Sequence, residues 1–141
     1  MVKVFLDSSI LVAASASKTG GSALILDYCR KEKVKGFVSK DVIGEAKKNI
    51  NLKLGQKEQI RFVYYLKHAN LFLTEDPSVE QIAEAEKVIY AKDAPILASA
   101  VESKASYLIT LDRKHFFTSQ VEKFASPMKV VTPKDFILSF R

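Results

Sequence analysis

Two aspartates stand where a carboxylate is more than a solvated charge. The run Val2-Lys3-Val4-Phe5-Leu6 stops at Asp7, and the run Tyr107-Leu108-Ile109-Thr110-Leu111 stops at Asp112, with Arg113, Lys114 and His115 directly after it. Short apolar runs rich in strand formers read as strands buried on both faces, as in a parallel sheet. In open parallel sheets the functional crevice lies beyond the carboxyl ends of the strands, where strand order reverses. Two strands that each end on an aspartate therefore predict a site there. Carboxylates that converge without a counter-ion repel and raise one another's pKa values.

Taken singly, each aspartate also fits an N-cap on the helical turn that follows it; only their joint placement favours a site. Of the 16 acidic residues, two more enter the comparison. Asp93 precedes Ala94-Pro95 and reads first as an N-cap. Glu45 lies off the apolar face of Ile43, Ala46 and Ile50, so periodicity alone makes it a solvent-facing glutamate. His68 and His115 lack a partner at metal-ligand spacing and read as structural or surface residues.

The elements that must position these groups alternate along the chain. A strand over 2–6 leads into a short helix from Ser8; after a Lys18-Thr19-Gly20-Gly21 break, Ser22 fits as the N-cap of a second helix. Residues 36–39 form a second strand, and helices over 41–54 and 56–68, parted by Gly55, form a hairpin. A third strand covers 70–74, and Ser78 caps a helix through Ile82, Ala85, Val88 and Ile89. Asp93 opens the next helix, since Pro95 fits only within a first turn. The strand before Asp112 follows, then a helical turn around 115–117, an edge strand over 128–131 and a last helix capped by Thr132-Pro133. Neither repeat nor linker interrupts the alternation. It predicts one domain over 1–141, a three-layer α/β/α sandwich with a mainly parallel five-stranded sheet.

Composition sets bounds. With 48% hydrophobic residues in 141, the chain can bury one substantial core, which argues against disorder. The single cysteine, Cys29, excludes an internal disulfide and a cysteine-based zinc site, and fits a reducing cytoplasm. The N-terminal apolar run is too short for a signal peptide and no stretch reaches transmembrane length, so no membrane association is expected. A net charge of +6 and a pI near 9.4 point weakly to polyanionic partners.

Four blocks carry a family resemblance: Phe5-Leu6-Asp7-Ser8-Ser9-Ile10-Leu11-Val12, Ile43-Gly44-Glu45, Lys92-Asp93-Ala94-Pro95-Ile96-Leu97-Ala98 and Leu108-Ile109-Thr110-Leu111-Asp112. In order and spacing they resemble the motifs of PIN-domain nucleases, and the chain as a whole is similar to the small single-domain branch typified by VapC-type toxins. The resemblance implies that Asp7, Glu45, Asp93 and Asp112 line one metal pocket. Ser9 matches the small polar residue near the first acid, and Thr110 the Ser/Thr two positions before the fourth. At His115 the chain departs from many members, which carry a further acid nearby.

The implied activity is endonucleolytic cleavage of RNA with Mg²⁺ or Mn²⁺, leaving a 3′-hydroxyl and a 5′-phosphate. Such hard ions take oxygen ligands, keep waters and bind substrate phosphate directly. Asp7 and Asp93 would be the chief ligands, with Asp112 and Glu45 holding water or a second ion and one of them acting as base. Arg113 and Lys114 beside Asp112, Lys47 and Lys48 beside Glu45, and Lys92 beside Asp93 would contact RNA phosphates. A homodimer and a small antitoxin that blocks the pocket are the implied protein partners.

Two other readings compete with this one. A receiver-like phosphoacceptor domain needs an adjacent acidic pair near the end of its first strand and a lysine ending its last; here no such pair adjoins Asp7, and Lys129 begins the last strand. A catalytically silent PIN-like RNA-binding or scaffold domain has no use for all four acids.

Overall fold

Val4, Phe5 and Leu6 have no exposed surface at all. A strand without a polar face belongs in the middle of a covered sheet, and these residues lie in β1 (Lys3–Leu6), the central strand of five. The computed structural model describes residues 1–140. Its other strands are β2 (Lys35–Val38), β3 (Phe72–Leu73), β4 (Tyr107–Ile109) and β5 (Lys129–Val131), all parallel, in the order β3-β2-β1-β4-β5. Parallel neighbours need crossovers, supplied by α1 (Ser8–Ala16), α2 (Gly21–Arg30), α3 (Lys40–Lys53), α4 (Gln56–His68), α5 (Val79–Glu86), α6 (Ala94–Glu102), α7 (Arg113–Phe116) and α8 (Ser119–Ala125), while α9 (Pro133–Phe140) follows the last strand.

The chain runs outward from β1 through β2 to β3, then returns to the other side of β1 for β4 and β5. Strand order thus reverses between β1 and β4, the switch point at which α/β sheets open a crevice. This order is not the 2-1-3-4-5 of receiver-type domains, which removes that reading. Leu6 pairs with Ile109, and the Asp7 N–H donates to the Ile109 carbonyl at 3.0 Å, so Asp7 and Thr110 leave the sheet side by side.

Local chemistry accounts for most boundaries. Ser39 accepts the Val42 N–H at 3.1 Å and starts α3; Ser78 and Gln81 exchange hydrogen bonds at the start of α5 as a capping box. In β2, a Cβ on Gly36 would lie 2.6 Å from Cys29 Sγ, so α2 rests directly on the strand backbone there.

Elsewhere the structure differs from the sequence reading. Gly20, not Ser22, is the N-cap of α2; Ser22 is buried inside the helix. The third strand shrinks to the exposed pair Phe72 and Leu73, which has β2 as its one neighbour at the sheet edge. The helix α8 was not expected; Thr118 starts it by accepting the Val121 N–H at 3.1 Å. Most consequential, β4 ends at Ile109 and does not run on to Asp112. Ser9 Oγ accepts the Leu111 N–H and Thr110 Oγ1 the Asp112 N–H, each at 3.0 Å, turning the chain out of the sheet and leaving Leu111 46% exposed. No single helix among the described residues is long and apolar enough to cross a membrane.

Candidate active site

Asp7 leaves the end of β1 and caps α1, buried to 4% exposure. Its Oδ2 accepts from Thr110 Oγ1 at 2.9 Å, from Ser9 Oγ at 2.7 Å and, weakly, from the Ser9 N–H at 3.4 Å. No bond among the described residues engages its Oδ1. Ser9 and Thr110 thus do double duty: each orients Asp7 and each accepts a backbone N–H from the loop that carries Asp112.

Asp112 caps the short helix α7. Its Oδ1 accepts the His115 N–H at 3.1 Å, and its Oδ2 meets His115 Nδ1 at 2.8 Å. The cap reading therefore holds for both Asp7 and Asp112, since each side chain accepts a helical N–H, and both caps lie at the switch point.

Asp93 behaves differently. It holds the N-cap position of α6, with Pro95 in the first turn, but its backbone is already helical (φ −94°, ψ −13°) and its side chain makes no capping bond. The expected cap position is held, but among the described residues the capping hydrogen bond is absent. The residue is only 3% exposed, and its Oδ2 has no hydrogen-bond partner among the described residues. Such a group carries a desolvation cost that native structures rarely leave unexplained. Burial raises its pKa above the ordinary carboxylate value; His115 and Lys92 oppose the rise, and the charges of Asp112 and Asp7 add to it.

Glu45 is half-buried, not solvent-facing as its periodicity suggested. The buried face of α3 is Val42, Ala46 and Ile50, and Glu45 flanks it one turn after Val42. Its Oε1 accepts from Ser8 Oγ at 2.9 Å. Burial raises its pKa, the Ser8 bond opposes this, and the charges of Asp7 and Asp93 push it further up. Each of the four acids thus feels or exerts the field of at least one other, so they make one electrostatic cluster at the switch point.

The tightest part of the cluster is Asp93, Asp112 and His115, whose candidate ligand atoms all lie within 4.8 Å of one another. Asp7 and Glu45 stand outside that group. The sequence pattern makes His115 a structural or surface residue; in the structure it pairs with Asp112 three residues earlier, a spacing that one capped helical turn brings together. Tyr90 meets the His115 ring edge-on, centroids 5.0 Å apart. Ser8, the donor to Glu45, was also missed; no local pattern links residues 37 apart.

Lys47, Lys48, Lys92, Arg113 and Lys114 are all exposed, and among the described residues none forms an ion pair. Their charges are therefore uncommitted, unlike that of Arg30, which Asp27 holds at 2.7 Å. The Arg113 guanidinium lies over the Phe117 ring at 5.6 Å.

A family model described as the PIN domain matches residues 3–114. Among solved structures, the fold is similar to VapBC2 from Rickettsia felis bound to a DNA fragment from their promoter, with TM-score 0.68 and 16% identity over 93% of this chain and 98% of that one. It is similar also to PAE2754 from Pyrobaculum aerophilum, with TM-score 0.64 and 18% identity over 99% and 95% of the two chains. VapC20 from Mycobacterium tuberculosis, a sarcin-ricin loop cleaving toxin, aligns with TM-score 0.59 and 14% identity over 79% of this chain and 91% of its own. At these identities the likeness is one of fold. No curated protein sequence matches the chain.

Proposed function

Because the chain belongs to the PIN-domain family, we propose that it is a Mg²⁺- or Mn²⁺-dependent endoribonuclease and the toxin of a toxin–antitoxin pair. The observation that carries this reading is the buried Asp93 Oδ2, without a hydrogen-bond partner among the described residues and within the field of Asp112 and Asp7 as well as of His115 and Lys92. An oxygen in that position is costly in the free protein and useful to a hard cation. The donor chemistry supports it: carboxylate oxygens of Asp93 and Asp112 come together, and Glu45 is close enough to feel the charges of Asp93 and of Asp7, whose second oxygen is free of hydrogen bonds among the described residues.

A bound divalent ion supplies positive charge to the phosphoryl oxygens and acidifies water. The chain's own residues do the rest. Ser9 and Thr110 hold Asp7 by one oxygen and leave the other free for the ion. Asp93 contributes an oxygen that pays no hydrogen bond to release. Glu45, held by Ser8 and with its pKa raised by burial, is suited to take a proton from water and return it to the leaving oxygen. Lys92, Arg113, Lys114 and Lys47 bind phosphates on either side of the scissile bond. The products are a 3′-hydroxyl and a 5′-phosphate.

Two protein partners belong to the proposal. One is a small antitoxin that covers this chain's acidic pocket, a reading supported by the likeness in fold to the VapBC2 assembly. Apolar side chains exposed along α4, among them Ile60, Val63 and Tyr64, suit pairing with a second copy. Incubating the purified chain with structured and unstructured RNA, with Mn²⁺ and with EDTA, tests the activity. Cleavage that needs the metal supports it, and cleavage undiminished in excess chelator contradicts it. Salt-sensitive RNA binding without cleavage would indicate the silent relative.

A further inference from the structure

We propose that His115 contributes an imidazole nitrogen to the ion site, making it a mixed oxygen–nitrogen centre built on Asp93, Asp112 and His115. The inference rests on the metal-dependent reading above and assigns a ligand that the four-acid scheme leaves out. Ligand atoms on these residues lie within 4.8 Å of one another, a spread that one ion can span. Asp93 brings an oxygen that is buried and without a partner. Asp112 Oδ2 and His115 Nδ1 lie 2.8 Å apart. Adjacent ligands of an octahedral ion with bonds of about 2.1 Å lie roughly 3 Å apart, so the pair is already spaced as neighbours in one shell.

The imidazole is also preorganised. Asp112 caps the turn through the His115 N–H at 3.1 Å, and Tyr90 packs edge-on against the ring. Backbone, carboxylate and aromatic contact together fix the ring within 4.8 Å of a carboxylate oxygen of Asp93.

A nitrogen donor changes which ion the site prefers. Carboxylates and water suit Mg²⁺, whereas imidazole favours transition ions, so the site should bind Mn²⁺ more tightly than Mg²⁺ by more than an all-oxygen site would. The chain has two histidines, His68 and His115, which makes the assignment clean.

The test is pulsed EPR on the full chain loaded with Mn²⁺, together with Mn²⁺ and Mg²⁺ affinities by titration calorimetry. The expected result is a directly bound ¹⁴N coupling that disappears in His115→Gln and persists in His68→Gln. His115→Gln should weaken Mn²⁺ binding by at least about tenfold while changing Mg²⁺ binding far less, and His115→Asp should move the preference toward Mg²⁺. Bound Mn²⁺ without nitrogen coupling, or a His115→Gln variant with parental affinities, overturns the His115 assignment and leaves the ribonuclease reading standing. A parent chain that binds no Mn²⁺ overturns both.

Discussion

Thr110 Oγ1 donates to Asp7 Oδ2 at 2.9 Å, joining residues 103 positions apart across the seam between β1 and β4. The same oxygen accepts the Asp112 N–H at 3.0 Å. One fully buried hydroxyl therefore sets the first acid and the last with a single rotor.

Thr110→Val keeps the shape and removes both bonds. It should cost about 1–3 kcal/mol in stability and lower RNA cleavage, whereas Thr110→Ser should stay near the parent in both. Denaturant unfolding and cleavage of all three proteins check this. A valine variant equal to the parent would mean the hydroxyl is incidental.

Gly44 sits inside α3 with nothing within 4 Å of where a Cβ would be, and without positive φ. Gly44→Ala should therefore stabilise the chain by about 1 kcal/mol and raise Tm by roughly 3 °C. A lower Tm would contradict the open space found where a Gly44 Cβ would lie.

Much of this architecture was legible in the sequence. The apolar run of β1, the Gly55 break with its helix over 56–68 and the Ser78 cap all rest on local chemistry, and all stand in the structure. The family model matches the chain over the region that holds all four acids. What periodicity could not supply were the relations between distant residues. Leu111 reads as part of a strand, but Ser9, more than a hundred residues earlier, takes its N–H and ends the sheet. Glu45 reads as solvent-facing until Ser8 is placed beside it. The sequence of Asp93 suits a cap, yet its helical backbone turns the carboxylate away from that use.

The exposed cations around the site should act through RNA phosphates. Arg113→Ala or Lys114→Ala should weaken RNA binding and flatten its salt dependence, each lost contact reducing the log–log slope by roughly 0.7–0.9. Slopes equal to the parent's would assign both residues to ordinary surface.

pH supplies an independent check on the buried acids. Burial raises Asp93 above its ordinary 3.8 and Glu45 above 4.5. Between the ordinary and the raised value the folded chain holds more protons than the unfolded one, so this contribution to stability falls as pH rises. Asp27, which Arg30 and Lys31 hold low, contributes with the opposite sign. The readout is therefore a difference. In chelator, the Tm of Asp93→Asn minus that of the parent should grow as pH is raised from about 4 to 7. A difference independent of pH would contradict a buried, ionising Asp93.

The central claim is that the acid cluster exists to hold a divalent ion, and Asp93 tests it most directly because its side chain caps nothing. The measurement is Tm at neutral pH for the parent and Asp93→Asn, first in chelator and then across a Mn²⁺ titration. In chelator the variant should melt no lower than the parent, since a buried unpartnered charge has been removed. With Mn²⁺ the parent should gain about 2.7 kcal/mol by a hundredfold excess over Kd, and the variant far less, so that the order narrows or reverses. A variant that melts lower without metal and gains as much from Mn²⁺ as the parent would mean that Asp93 is structural and that the ion, if any, binds elsewhere.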